Sequence, residues 1–107
     1  PLGDKSEILA IQNVFEKHAY NLNISSTKSM TGHLLGAAGA IESIASIFSI
    51  NDGIIPPTIN HYTKDDEIDS KLNLTLNKSQ KRNVNIVMSN TFGFGGHNTS
   101  VVFKKYN

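Results

Sequence analysis

The sequence of 107 residues contains neither cysteine nor tryptophan. Without cysteine, these residues can form no disulfide and no thiolate metal site. Charge is also sparse, since charged residues make up 18% of the chain and the net charge is +1. This balance gives no electrostatic indication of a nucleic acid or of an anionic membrane as a partner. Any function must therefore be argued from local motifs.

Charge of one sign gathers in only two short runs. Residues 78–83, KSQKRN, are basic, and residues 65–69, DDEID, are acidic. Runs of this kind are usually solvated loop faces, and we interpret both in this way. A docking patch for an acidic protein is the alternative for the basic run.

The one long apolar run extends from His33 to Ile50 and predicts a helix from about His33 to Asn51. Its apolar side chains cover every direction around a helix of period 3.6, which predicts a helix buried on all sides. A membrane span takes about 20 apolar residues. Glu42, several serines and several glycines interrupt this run. We therefore predict a buried core helix and no membrane span.

Four polar side chains lie close to this helix in the sequence. Lys28, Thr31 and His33 precede it, and Glu42 lies inside it. Because a buried carboxylate needs a partner, Lys28 is the candidate partner of Glu42. His33 is predicted at the helix N-terminus, where the helix dipole favours a neutral ring that can donate to an oxyanion. A histidine that only caps its helix and a purely structural ion pair are the alternatives.

The remaining elements follow from periodicity and turn signals. Asp4 and Glu7 fit a capping box, which predicts an amphipathic helix from Lys5 to about Ala19. Strands are predicted at Leu22–Ile24, Leu72–Leu76, Val84–Ser89 and Thr99–Lys105. The glycine-rich turn Phe92–Gly96 is short enough to join the last two as an antiparallel pair.

Three ordered motifs carry a resemblance to a known family. They are STKSMTGHLLGAAGAIE at 26–42, PPTIN at 56–60 and SNTFGFGGHN at 89–98, and the opening PLGD also matches. Together they resemble the C-terminal part of a β-ketoacyl-acyl carrier protein synthase, a type II fatty-acid condensing enzyme of the thiolase-like superfamily. The resemblance runs from Pro1 to about Lys105. It implies an α/β, thiolase-like fold of which residues 1–107 are most of the C-terminal half, incomplete alone, with a central buried helix and a final antiparallel strand pair.

The resemblance also implies an activity and partners. Such enzymes carry out decarboxylative Claisen condensation of malonyl-acyl carrier protein with an enzyme-bound acyl thioester in fatty-acid elongation, without a required cofactor. The implied partners are acyl carrier protein and a second copy in a homodimer. These residues alone are expected to be inactive, because the family's cysteine nucleophile is not among them. The alternatives are a polyketide synthase ketosynthase domain and a non-condensing chain-length partner, whereas a thiolase would need a cysteine near its C-terminus.

Roles for individual residues follow from the same resemblance. His33 is implied to be the second catalytic histidine, Lys28 the catalytic lysine position and Glu42 a buried supporting carboxylate. Phe94 is implied to give the second oxyanion-hole amide and a ring that gates the acyl pocket, whereas the glycines alone would indicate only a hairpin turn with positive φ. The other supporting residues are Thr31, Gly93 and Gly95.

Two finer expectations complete the resemblance. Glu42, Ser89 and Asn90 match positions that surround a structural monovalent cation in some relatives, although a water would satisfy the same oxygens. His97 stands where plastid relatives often carry histidine. This histidine implies a plastid-like organelle, with the cytoplasm as the alternative.

Overall fold

Helices come first in the chain and most of the strand structure follows. The computed structural model describes residues 2–107. In chain order the elements are α1 (Leu2–Phe15), a 3-10 helix (Glu16–Asn21), α2 (Lys28–Thr31), a second 3-10 helix (Leu35–Ala37), α3 (Ala38–Asp52), β1 (Ile54–Ile55), β2 (Gln80–Lys81), β3 (Ile86–Gly93) and β4 (His97–Lys104). The strands form two antiparallel pairs, β1 with β2 and β3 with β4.

α1 begins and ends earlier than the sequence predicted. It starts at Leu2, so Asp4 lies in its first turn and not at the N-cap that a capping box requires. The α-helix ends at Phe15 because Glu16 takes a positive φ of 52°. The chain then continues as a 3-10 helix, in which Ala19, the predicted end, is fully buried.

The predicted apolar helix starts at Ala38 and not at His33. Positive φ values of 75° at Gly32 and 50° at Leu35 prevent a regular helix before that point. The end agrees with the prediction, since Gly53 takes the left-handed conformation and donates its N–H to the Ser49 carbonyl at 3.0 Å. Within residues 2–107, every helix is too short or too polar to cross a membrane.

Within the described residues, α3 is buried on one side only, and its burial on all sides stays a prediction. One face, which includes Ser46, Ser49 and Ile50, is buried. Both serine hydroxyls donate to carbonyls one turn earlier, at 2.8 and 2.9 Å, so burial leaves neither unpaired. Ile44 and Phe48 are 49% and 58% exposed. Residues 2–107 therefore cover one side of α3 and leave the other open.

β3 and β4 form the predicted antiparallel pair with shifted bounds. β3 extends beyond Ser89 to Gly93, and β4 already begins at His97, which faces Gly93 in the register. The pair packs against α3. The apolar core lies where α3, β1 and this pair meet, and consists of Ile50, Ile55, Val84, Val87 and Phe103.

The strands predicted at Leu22–Ile24 and Leu72–Leu76 do not form as regular strands. Only single parallel bridges remain there, from Asn23 to Asn73 and from Thr58 to Leu76. At Leu72–Leu76 the reason is local, because Thr75 takes a positive φ of 50°, which interrupts an extended backbone. The short pair β1–β2 was not predicted at all, since two-residue strands leave no alternating pattern in a sequence.

Candidate active site

Lys28 and Glu42 form the ion pair that the sequence predicted. The Nζ of Lys28 contacts the Oε1 of Glu42, which joins α2 to α3. Their side chains are 35% and 12% exposed, so the carboxylate is the more buried partner. A charge this poorly solvated is stabilised by an opposite charge in contact with it. The pair therefore gives an opposite charge to Glu42, which is the one charged residue between Ser29 and Asn51.

The position of Lys28 depends on contacts from outside its own helix. α2 has only four residues, and its N-cap, Thr27, makes no capping hydrogen bond with its side chain. A single turn has little stability by itself. The Ser26 N–H donates to Thr58 Oγ1 at 2.8 Å, and the Ile59 N–H donates to Ser29 Oγ at 2.9 Å. The PPTIN motif therefore holds the segment that carries Lys28.

The sequence did not predict that the PPTIN motif holds the segment carrying Lys28. The motif served there only as part of the resemblance, with no role for any of its side chains. Ser25 Oγ also donates to the Pro56 carbonyl at 2.5 Å, so the contact extends along both segments. A signal was available in the run SSTKS, because adjacent hydroxyl side chains around a lysine are suited to bonding a second backbone segment.

A second carboxylate, Glu7 of α1, lies within electrostatic reach of the pair. Burial is the largest influence and raises the pKa of Glu7 above its ordinary value, with Asp4 and Glu42 acting in the same direction and Lys28 opposing them. The sequence assigned Glu7 only to a capping box. Its electrostatic influence from Lys28 and Glu42 comes from residues far along the chain, which local patterns do not reveal.

His33 lies in the irregular segment between α2 and the second 3-10 helix, so the predicted effect of a helix dipole on it is wrong. The Leu35 N–H donates to His33 Nδ1 at 3.0 Å. An Nδ1 that accepts a hydrogen bond carries no proton, so a neutral ring keeps its proton on Nε2. The hydrogen bond therefore leaves Nε2 as the ring nitrogen that can donate, and donation to an oxyanion stays a prediction. The side chain is exposed.

Thr31 ends α2, and its hydroxyl is used locally. It donates to the Thr27 carbonyl at 3.2 Å and lies 3.1 Å from the Gly32 carbonyl. These bonds close the last turn of α2 just before His33. A supporting role for Thr31 stays a prediction, and the structure limits it to shaping this turn.

Phe94 stands at the tip of the β3–β4 hairpin, apart from the ion pair. Its side chain is 88% exposed. Gly95 and Gly96 follow it with φ of 80° and 82°, whereas Gly93 belongs to β3 and needs no positive φ. The expected turn geometry therefore holds at Gly95 and not at Gly93. Within residues 2–107 no hydrogen bond joins His33 or Phe94 to Lys28 or Glu42, so their catalytic roles stay predictions.

Two of the three residues suggested for a monovalent cation have hydrogen-bond or ion-pair partners among the described residues. Glu42 Oε1 is engaged by Lys28, and Asn90 Oδ1 accepts from the Ser100 hydroxyl at 2.7 Å. In the part of the chain that the structure describes, no group of three His, Cys, Asp or Glu side chains is placed to hold a metal ion. A monovalent cation at Glu42, Ser89 and Asn90 stays a prediction.

Comparison with known families and proteins gives a consistent result. Residues 1–62 match the model described as beta-ketoacyl synthase, C-terminal domain. The chain is 51% identical over 106 residues to 3-oxoacyl-(acyl-carrier-protein) synthase 2 of Staphylococcus aureus (strain COL), which covers 99% of this chain and 25% of that protein. The protein of the same name from Synechocystis sp. (strain ATCC 27184 / PCC 6803 / Kazusa) is 47% identical over 106 residues, which again cover 99% of this chain and 25% of that protein. The chain thus spans about a quarter of the length of the curated relatives it matches.

Solved structures agree in fold. The chain is similar to the ishigamide ketosynthase/chain length factor, with a TM-score of 0.83 and 36% identity over 97% of this chain and 25% of that one. It is also similar to a structure described as a type II polyketide synthase acyl-carrier protein in complex with its ketosynthase bound to the hexaketide, with a TM-score of 0.87 and 34% identity over 94% of this chain and 24% of that one. The predicted α/β fold of ketosynthase type is thereby confirmed.

Proposed function

Because the chain belongs to the β-ketoacyl synthase family and carries its C-terminal domain, we propose that its parent protein is a 3-oxoacyl-acyl carrier protein synthase of fatty-acid elongation. The parent condenses malonyl-acyl carrier protein with an acyl group held as a thioester on an enzyme cysteine. Residues 1–107 supply part of the site, and the cysteine comes from outside them.

One observation carries the proposal. Lys28 lies on α2 in contact with Glu42 of α3, and His33 lies in the segment that follows α2, with Nδ1 accepting from the Leu35 N–H so that Nε2 is free to donate. A donor of this kind stabilises an oxyanion most effectively when it is already oriented before the charge develops. Lys28 and Glu42 set the field around the histidine, and Lys28 is not a nucleophile.

The chemistry assigned to His33 is electrostatic. The bond between the malonyl carboxylate and the α-carbon breaks, carbon dioxide leaves, and the electron pair moves to the thioester carbonyl as an enolate. His33 Nε2–H donates to the enolate oxygen and lowers the energy of that charge. The enolate carbon then attacks the acyl thioester carbonyl, the carbon–sulfur bond breaks, and the cysteine leaves as a thiolate.

Phe94 is assigned two functions at the hairpin tip. Its backbone N–H is the second donor to the oxyanion formed on the acyl group, and its ring gates the acyl pocket. Gly95, with its positive φ, gives the tip backbone freedom that other residues lack. Thr31 and Gly93 support the two ends of the site. The exposure of the Phe94 ring agrees with a group that moves.

No cofactor is assigned to the reaction, since decarboxylation itself drives the condensation. A structural monovalent cation at Glu42, Ser89 and Asn90 was a further expectation. It stays a prediction, and no step of the mechanism uses it.

The partners assigned to the parent are acyl carrier proteins loaded with malonyl and acyl groups, and a second copy in a homodimer. The similar ketosynthase solved with its acyl-carrier protein supports the first of these. The plastid-like location suggested by His97 and the alternative cytoplasmic location both stay predictions. The bacterial origin of the relatives from Staphylococcus aureus and Synechocystis favours the cytoplasm.

A second candidate function is a polyketide ketosynthase or its non-condensing chain-length partner, because both similar solved structures come from such systems. Purified full-length parent, incubated with malonyl- and acyl-acyl carrier protein, separates the possibilities. Our proposal expects carbon dioxide and a 3-oxoacyl product in equal amounts after one extension. Repeated extension would indicate a polyketide ketosynthase, and carbon dioxide without product would indicate a chain-length partner. Neither of those results is compatible with our assignment.

A further inference from the structure

We propose that the hydroxyl of Thr58 is a positioning group that holds the Lys28 segment, residues 25–29, in register with the catalytic histidine. The inference rests on the proposed function and adds a residue to the same site. Thr58 does not touch substrate in this proposal. It acts through the segment that carries Lys28.

The backbone of Thr58 is fixed on one side by a buried segment. Its N–H donates to the Thr75 carbonyl at 2.9 Å, and its own carbonyl accepts from the Asn77 N–H at 2.8 Å. Thr75 is 1% exposed, and among the described residues it is the largest side chain that is fully buried. Thr58 is therefore anchored to a fully buried residue.

The side chain of Thr58 points the other way, to the Lys28 segment. Its Oγ1 accepts from the Ser26 N–H at 2.8 Å. The next residue, Ile59, donates its N–H to Ser29 Oγ at 2.9 Å, and that hydroxyl donates to the Ser26 carbonyl at 2.8 Å. These bonds are made immediately before and immediately after Thr27 and Lys28. They bracket the lysine.

Loss of these hydrogen bonds should displace both Lys28 and His33. α2 has four residues and no side-chain cap, so it cannot fix its own position. Lys28 at its start is bonded to Glu42, and His33 follows shortly after its end. A small displacement of α2 therefore moves the lysine from its carboxylate and shifts the histidine. Displacements of about 1 Å can slow a reaction by about 100-fold.

The test uses the full-length parent with Thr58→Val, which keeps the shape and removes the hydroxyl. We expect kcat for malonyl decarboxylation to fall by about 10- to 100-fold, while KM for malonyl-acyl carrier protein stays within a factor of about two. Thr58→Ser keeps the hydroxyl and should restore most of kcat. Thr63→Val is the matched control, because Thr63 is exposed in the same loop region, and it should behave as wild type.

A Thr58→Val enzyme with wild-type kcat would overturn the proposal. So would a Thr58→Ser enzyme as slow as Thr58→Val, because the methyl group would then be the important feature. Hydrogen exchange of the Ser26 amide tests the hydrogen bond to Thr58 independently of catalytic activity. It should accelerate in Thr58→Val and not in Thr63→Val, and an unchanged rate would also overturn the proposal. If the wild-type parent does not decarboxylate malonyl groups, the proposed function fails. The hydrogen-exchange result then decides by itself whether Thr58 holds the Lys28 segment.

Discussion

The two sides of the candidate site differ in how firmly the chain holds them. On the Lys28 side, an ion pair and several hydrogen bonds connect α2 to α3 and to the segment 56–60. On the Phe94 side, the ring at the hairpin tip is 88% exposed, and the two glycines that follow have positive φ. One side is fixed by polar contacts, whereas the described residues leave the ring on the other side largely uncovered.

This difference matches two demands of the proposed reaction. An oxyanion donor stabilises charge best when it needs no reorganisation during the reaction. A gate must instead change its position between the two half-reactions. The comparison predicts that substitutions on the Lys28 side mainly reduce rate, and that a substitution at Phe94 mainly changes selectivity.

His33→Ala should give the largest effect. In the full-length parent, malonyl decarboxylation should slow by about 100- to 1000-fold, the usual cost of losing one oxyanion donor. Acyl transfer to the cysteine should be affected less, which a burst of labelled acyl-enzyme can measure. His18→Ala, an exposed histidine near the end of the first helical region, is the control. If transfer collapsed and decarboxylation did not, His33 would have to activate the nucleophile instead.

Lys28→Met should give the next largest effect. We expect decarboxylation to slow by about tenfold or more, because Glu42 is left as an unpaired, largely buried charge and the site shifts. The free energy of unfolding should fall as well. Adding Glu42→Leu should restore stability, with a coupling of about 0.5–3 kcal/mol for residues in contact. The decarboxylation rate of the double variant should not return to the wild-type value. A double variant with both stability and rate restored would show that the pair is only structural.

Much of this fixed side could be predicted from the sequence. A carboxylate inside an apolar helix requires a partner, and the nearest preceding lysine is the one found. The end of α3 at Gly53 and the final antiparallel pair also follow from local signals. These predictions succeed because each depends on a few neighbouring residues or on a strong physical penalty.

The failures of prediction have a common cause. The start of α3 depends on the positive φ of Leu35, a residue type that normally favours helix. The state of His33 depends on the amide of that same leucine. The Thr58 contacts and the place of Glu7 depend on packing between segments far apart in the chain. Local propensity contains none of this information.

Phe94→Ala tests the hairpin side. The backbone N–H remains, so condensation should fall by less than about tenfold, well below the effect of His33→Ala. The range of accepted acyl chain lengths should broaden, because the ring no longer closes the pocket. A packing residue would behave differently, with a loss of about 3 to 5 kcal/mol in stability and an unchanged chain-length profile. Acyl-chain selectivity measured together with the unfolding midpoint separates the two outcomes.

Gly53→Ala should weaken the fixed side without touching the chemistry. Gly53 has a φ of 64°, and an added Cβ would lie 3.0 Å from the Arg82 carbonyl oxygen. A left-handed non-glycine residue costs about 1–2 kcal/mol. The displaced Arg82 should also loosen its backbone bond to Gly53, which is 2.9 Å long. We expect a lower unfolding midpoint with nearly unchanged kcat. Gly3→Ala, where nothing lies within 4 Å, is the control and should not destabilise the protein.

Glu7→Gln should have the smallest effect, visible mainly in the pH dependence of stability. Burial raises the pKa of Glu7 above its ordinary value of 4.5, with smaller contributions from Asp4 and Glu42. The folded state therefore binds more protons than the unfolded state between the ordinary pKa and the raised one. Stability falls as pH rises through this window. Glutamine cannot ionise, so the variant should lose less stability between acidic and neutral pH than wild type. The check is the unfolding midpoint of both proteins across this pH range. If it declined equally in both, Glu7 would be exposed to solvent and away from the Lys28 side.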